Sequence, residues 1–193
     1  MNINTLKELR EVLNYERTRK GLSPITSWFG WLMADMKMLL HPGNPNTFMY
    51  CLRCEEYCRG GVFAKILRYK HKVLQNRTGI ELYPGVAEKG VSVNHGKCVV
   101  SQAARIGRDC VILSDVTIGG TGGLRDDGAA IIGERVFIST GAKIIGKINI
   151  CDDVCIGANA VVTKDIIEPG TVWGGVPAKR IGKINDRPFI KSK

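Results

Sequence analysis

The chain repeats on a beat of six. From residue 106 to residue 167 it can be written as Ile106-Gly-Arg-Asp-Cys-Val, Ile112-Leu-Ser-Asp-Val-Thr and Ile118-Gly-Gly, then a break, then hexads opening at Ile132, Ile138, Ile144, Ile150, Ile156 and Val162. The first position is Ile or Val in all nine hexads, and the fifth is Cys, Val, Ala or Ile wherever the hexad is complete. A helix repeats at about 3.6 residues and a half-buried strand at about two, so neither produces this beat. A hexapeptide period marks a parallel β-helix. Each hexad supplies one short strand and one corner: β-branched side chains fill a narrow prism, and Gly, Asn or Asp turn the chain where a left-handed backbone is required. A sandwich of ordinary strands would instead show hairpin turns at uneven spacings of about 8–12 residues.

Size, cysteine content and charge narrow the rest. With 193 residues the chain holds one domain and an appendage, and buries a core without disulfides. Its seven cysteines are an odd number, and Cys98, Cys110, Cys151 and Cys155 fall on or beside the repeat as small hydrophobes, so a reducing, cytoplasmic setting is expected. The start lacks the apolar core of a signal peptide, and the apolar run from Trp28 to Leu40 is too short to span a bilayer and contains Asp35 and Lys37. Of the net charge of +10, residues 1–79 contribute 13 basic and 6 acidic side chains, residues 80–178 contribute 9 and 11, and residues 179–193 contribute 6 and 1. A nucleic-acid binder concentrates its cations on the folded surface that reads the polymer. Here they sit at the two ends, which suits an anionic cofactor or an acidic glycan better. Three parts follow: an α-helical part over 1–79, the coil over 80–178, and a basic tail over 179–193.

Thr5-Leu-Lys-Glu8 is a capping-box pattern that opens a short amphipathic helix through Leu6, Leu9, Val12 and Leu13. Residues 26–40 predict a second helix, stopped by His41-Pro-Gly-Asn-Pro, whose tryptophans suit a helix or subunit contact. Over 47–60, Cys51, Cys54 and Cys58 share one helical face, a buried stripe that lacks the fourth ligand of a metal site. Over 62–77, Phe63, Ile66, Leu67, Val73 and Leu74 face Lys65, Arg68, Lys72 and Arg77 across an amphipathic helix.

Irregular strands begin at Ile80 with Gly79-Ile-Glu-Leu-Tyr-Pro and Val93-Asn-His-Gly, and His95 is the one histidine of the coil segment. Together with Val116-Thr-Ile-Gly-Gly-Thr-Gly, Gly141-Ala-Lys-Ile-Ile-Gly, Ile156-Gly-Ala-Asn-Ala-Val-Val and Gly175-Val-Pro-Ala-Lys-Arg, these motifs resemble the hexapeptide-repeat acyltransferases, over roughly residues 50–184. Within that family the likeness is to the serine acetyltransferase-like branch, which includes sugar and capsular-polysaccharide O-acetyltransferases. The resemblance implies a left-handed parallel β-helix, a homotrimer with clefts between subunits, and acetyl-CoA as co-substrate without a metal. Further contacts between trimers through the N-terminal helices fit the same picture.

The resemblance also implies roles for residues. Acetyl transfer from a thioester to a hydroxyl needs a base, a donor for the developing oxyanion and a groove for the thiol carrier. An imidazole suits the base. His95 matches the family's catalytic histidine, and Glu81 falls where serine-specific members carry an aspartate that orients it. Backbone groups at Gly120, Thr140 and Ala158 match positions along the pantetheine groove, and Lys164, Lys179, Arg180 and Lys183 match the region that holds the nucleotide phosphates. The interruption at 120–130 matches an extruded loop over the active site. That loop contains Arg125, Asp126 and Asp127 but lacks the histidine that serine-specific members carry there, and Asn94 stands where they have an aspartate. Both departures remove groups that would grip an amino acid, so Asn94, Arg125, Asp126 and Asp127 are assigned to acceptor binding. The acceptor expected on this basis is a sugar or polysaccharide precursor, with L-serine as the alternative and a non-catalytic scaffold as a further one. A zinc hydratase on the same coil would need three histidines where the coil has one.

Overall fold

The computed structural model describes residues 3–40, 43–122 and 128–184. Four helices precede the coil: α1 (Leu6–Arg19), α2 (Trp28–Leu40), α3 (Pro45–Tyr57) and α4 (Gly61–Thr78). The capping box at α1 forms as expected: the Thr5 hydroxyl accepts from the Glu8 amide at 3.1 Å, and the Glu8 carboxylate accepts from the Thr5 amide at 3.2 Å. Asn44 caps α3, with Pro45 in the first turn, and α4 ends on Gly79 in the left-handed region (φ 68°). No described helix is long and apolar enough to cross a membrane.

The helix faces differ from the expected ones by a position here and there. Cys51 and Cys54 are buried, but Cys58 lies one residue past the end of α3 and is half-buried. On α4 the inward stripe is Ala64, Leu67, His71 and Leu74, so Phe63 and Ile66, one position off it, stay about half exposed. On α2 Trp31 and Met38 point inward while Trp28 and Phe29 are 70 % and 64 % exposed.

A buried cation ties the helices to the first turn of the coil. The fully buried Arg53 of α3 donates to Glu16 of α1 (Nε, 2.9 Å), to Glu56 one turn on (3.0 Å), and to the carbonyls of Ala87 (2.9 Å) and Glu88 (2.6 Å). Glu56 also accepts from the amide of Gly85 at 2.9 Å, and Glu16 from that of Gly90 at 3.3 Å. Desolvation opposes the charge on Arg53, but the two carboxylates outweigh it and raise its pKa. A buried charge persists only where partners complete it in this way.

The coil has three faces. The first stacks Ile80–Glu81, Cys98–Val100, Val116–Gly119, Lys143–Ile145 and Val161–Val162. The second stacks Arg105–Ile106, Ile131–Ile132 and Asn149–Ile150, and the third Ser92–Val93, Val111–Ile112, Phe137–Ile138, Cys155–Ile156 and Thr171–Gly174. Every pairing among these strands is parallel. The rung is three hexads: Val99 pairs with Thr117, eighteen residues on, and Lys143 with Val161, again eighteen on. All nine hexad openers are at most 2 % exposed. Each such side chain contributes about 1.5–3 kcal/mol by leaving water. The fourth hexad position turns the corner in the left-handed region, at Asp109, Asp115, Arg135, Asp153 and Asn159 with φ between 54° and 61°. Asp and Asn tolerate that backbone. Arg135 is held there by a fork onto Asp153, at 2.7 and 2.8 Å, and by Glu134.

The coil does not simply stop. Lys179–Lys183, the first residues of the expected tail, form a strand antiparallel to Thr171–Gly174.

Candidate active site

His95 owes its position to one residue too many. Val93 and Val99 are six residues apart, whereas their partners on the next rung, Ile112 and Thr117, are five apart. The corner between the third and first faces therefore carries an extra residue at this level and bulges outward. His95, Gly96 and Lys97 all adopt left-handed backbone, with φ of 70°, 70° and 47°. Non-glycine residues in that region, here His95 and Lys97, are uncommon and cluster at functional sites. The bulge exposes both Asn94 and His95, while the corner stays stacked on the next one through the Asp115 amide, which donates to the Lys97 carbonyl at 2.6 Å.

Glu81 lies on the rung below, on the outward side of the first face, its Cα opposite that of Val99. The inward neighbour Cys98 senses it: burial pushes the Cys98 thiol up to about 12, and the Glu81 charge adds to the rise. Both Glu81 and His95 are thus on the outer surface at the same end of the coil. Among the described residues no hydrogen bond joins them.

The expected groove residues fall into two sets. Thr140 and Ala158 sit on the same edge of the prism as His95, one rung apart, with the Asn159 amide donating to the Thr140 carbonyl at 2.9 Å. The Thr140 hydroxyl donates to the Ser114 carbonyl at 2.8 Å and meets the Ser114 hydroxyl at 2.8 Å. The small corner residues Ser114, Thr140 and Ala158 leave a strip of this edge without bulky side chains. Gly120 and Lys164 instead lie on the next edge, between the first and second faces. Across the break, the register between Thr117 and Lys143 rises from eighteen residues to twenty-six, eight more than one rung. Gly120 and Gly128, on either side of the break, lie close together, since a Cβ on Gly120 would stand 2.9 Å from the carbonyl oxygen of Gly128. Arg125, Asp126 and Asp127 lie outside the described residues. Lys179, Arg180 and Lys183 project from the added strand, where Arg180 already pairs with Glu168 at 3.1 Å.

Two contributors were missed from sequence. One is the turn Thr78-Gly79, whose carbonyls accept from the amides of Lys97 and Cys98, each at 3.0 Å. The other is Gly96, packed against that turn. The surplus residue between Val93 and Cys98 was the available signal.

No family model matches the chain. Over 148 residues it is 36 % identical to a serine acetyltransferase of Helicobacter pylori strain J99, a match that spans 76 % of this chain and 85 % of that protein. A serine acetyltransferase of Brucella abortus strain S19, solved in complex with coenzyme A, superposes with a TM-score of 0.71 at 25 % identity, over 92 % of this chain and 69 % of that one. The Neisseria gonorrhoeae serine acetyltransferase in complex with serine superposes with a TM-score of 0.68 at 21 % identity, over 92 % and 70 %, which bears on the fold alone. The expected left-handed parallel β-helix of the hexapeptide-repeat acyltransferases is the observed fold.

The expected sugar or polysaccharide acceptor is corrected by the same matches, which carry serine acetyltransferases and not glycan-modifying enzymes. The inference from Asn94 gave too much weight to one side chain. Asn94 stands exposed on the outer corner, where a carboxylate contact to an ammonium is worth about 1 kcal/mol or less. Losing it does not forbid an amino-acid acceptor.

Proposed function

The chain belongs to the serine acetyltransferase branch of the hexapeptide-repeat acyltransferases, and we propose that it transfers the acetyl group of acetyl-CoA to the side-chain hydroxyl of L-serine. The observation that carries this is the 36 % identity over 85 % of a whole serine acetyltransferase, joined to a lone coil histidine displayed on a bulged corner. The protein is an acyltransferase; the acceptor, the residue roles and the assembly are the proposal.

His95 takes the proton of the acceptor hydroxyl while that oxygen bonds to the acetyl carbon. It then gives the proton to the sulfur as the carbon–sulfur bond breaks. A base so placed contributes about 10²–10⁴-fold in rate. Glu81, outward on the same end of the coil, holds the imidazole's other nitrogen once the substrates are in place, since catalytic contacts commonly tighten only in the complex. Asn94 contacts the amino acid.

The backbone N–H groups of Thr140 and Ala158 are uncommitted among the described residues and lie on the edge of His95. An extended amide-bearing arm such as pantetheine fits a strip of small corners with free donors. Lys179 and Lys183 supply cations for phosphates nearby. Gly120 and Lys164 lie on the adjoining edge of the same chain, so they serve the cleft of a neighbouring copy in a homotrimer, in which each site draws on two subunits.

The test is release of free thiol from acetyl-CoA with L-serine and with a panel of sugars. Turnover with serine, and none above background with the sugars, is the expected result. Turnover with a sugar but not with serine overturns the proposal.

A further inference from the structure

The bulged corner does not hold its shape alone; it rests on the end of a helix. The amide of Lys97 donates to the carbonyl of Thr78, the last residue of α4, and the amide of Cys98 to that of Gly79, each at 3.0 Å. A Cβ on Gly96 would stand 2.7 Å from the Thr78 carbonyl oxygen, closer than such atoms approach, and the residue also has φ of 70°. Gly79 is pinned from its other side, since a Cβ there would meet Lys97 at 3.0 Å.

The helical turn is fixed in its own right. The Thr78 hydroxyl donates to the Leu74 carbonyl at 2.7 Å and accepts from the Ile80 amide at 3.3 Å, so it braces the step from helix to strand. One level up the helix, His71 is buried, pairs through Nδ1 with Glu55 of α3, and reaches the Leu82 carbonyl through Nε2 at 3.0 Å. Helix α4 is thereby clamped to the strand that carries Glu81 and to the corner that carries His95.

We propose that the C-terminal turn of α4 is the seat that positions the His95 imidazole, with Gly96 and Thr78 as positioning residues. Every other left-handed non-glycine corner among the described residues of the coil has a single residue in that region, stacked on a like corner. The His95 corner has three in a row, and one of its two neighbours is a helix end instead of another corner. Shifting the seat moves the imidazole and leaves the prism intact. A displacement of about 1 Å at a reacting group costs on the order of 10²-fold in rate.

This inference rests on the proposed acetyl transfer, and the experiment separates the two. Gly96→Ala, Thr78→Val and Thr78→Ser are compared with Gly90→Ala, which adds a methyl at another left-handed glycine on a different edge, where it would meet Asp109 at 2.1 Å. In the serine assay, Gly96→Ala is expected to lose on the order of 10–100-fold in kcat with KM for both substrates within about twofold. Thr78→Val is expected to lose about three- to tenfold, Thr78→Ser to keep wild-type kcat, and Gly90→Ala to lose thermal stability but not kcat. If Gly96→Ala does not fold, the Thr78 pair decides. Equal kcat in Thr78→Val and Thr78→Ser, or a kcat loss in Gly90→Ala matching that of Gly96→Ala, overturns the proposal. With only three histidines in the chain, the imidazole nitrogens are also readable by NMR. A shifted His95 signal in Gly96→Ala or Thr78→Val supports the seat even if serine proves not to be the acceptor, and an unshifted one in both overturns it.

Discussion

Replacing Arg53 by Met should cost this protein a large part of its stability, although the residue is far from any substrate. Met fills the same space without the charge. What remains is two buried carboxylates, Glu16 and Glu56, at 7 % and 5 % exposure, and the carbonyls of Ala87 and Glu88 without their donor. Breaking a buried ion pair from one side costs about 3–5 kcal/mol. Each orphaned carbonyl adds about 1 kcal/mol at the low end of the usual range. The sum, about 5–7 kcal/mol, is comparable to the whole stability of a small domain, about 5–15 kcal/mol. At about 2–4 °C per kcal/mol for a chain of this size, Tm falls by about 10–28 °C. Thermal unfolding followed by circular dichroism, at one fixed protein concentration, measures this directly. The triple variant Arg53→Met, Glu16→Leu, Glu56→Met should recover much of the loss, since an apolar set of similar volume often matches a buried ionic one. Recovery stays incomplete because the amides of Gly85 and Gly90 then lose their acceptors. A fall in Tm of less than about 3 °C in the single variant would refute the view that Arg53 is the tie between helices and coil.

Other expectations concern the corner ladder and the thiols. Arg108 and Arg135 hold the Glu134 carboxyl below the usual carboxylate range, and Arg135 does the same to Asp153. A depressed folded-state pKa stabilises above the ordinary value near about pH 4 and is lost as pH falls through the folded value. Arg135→Met should therefore shrink the drop in Tm between pH 7 and pH 3, and an unchanged drop contradicts the ladder's role. Burial pushes the Cys51, Cys98 and Cys110 thiols up to about 12, and only Cys58 and Cys151 of the seven cysteines are not buried. A thiol reagent at pH 8 should modify at most those two rapidly in the native protein and all seven after denaturation; a third fast thiol contradicts the assigned core.

What could be read from the sequence follows from how strongly one position answers to one physical demand. Ile106, Ile112, Ile138 and Ile156 each face the prism axis, so the beat of six was visible residue by residue. The corner aspartates Asp109, Asp115 and Asp153 were legible because few side chains tolerate left-handed backbone. Arg53 was not legible, since a single arginine in the cysteine-bearing helix shows its partners only once α1 and the turn at 84–90 are in place. Phe63 and Ile66 look like core by spacing, yet the inward stripe of α4 starts one residue later, at Ala64. His95 was found by its motif, but the surplus residue that lifts it outward shows only in the strand register. The acceptor failed for a different reason: a neutral Asn94 removes an attraction without supplying a preference for another substrate.

The central claim is that an imidazole on an outward bulge moves the acetyl group, and His95→Gln, the nearest uncharged substitute, tests it most directly. Thiol release from acetyl-CoA with saturating L-serine should fall by about 10²–10⁴-fold, while the Tm and the oligomer size match the parent protein. A variant that keeps more than about a tenth of the parent rate would contradict it, because removing a general base costs at least about 10²-fold.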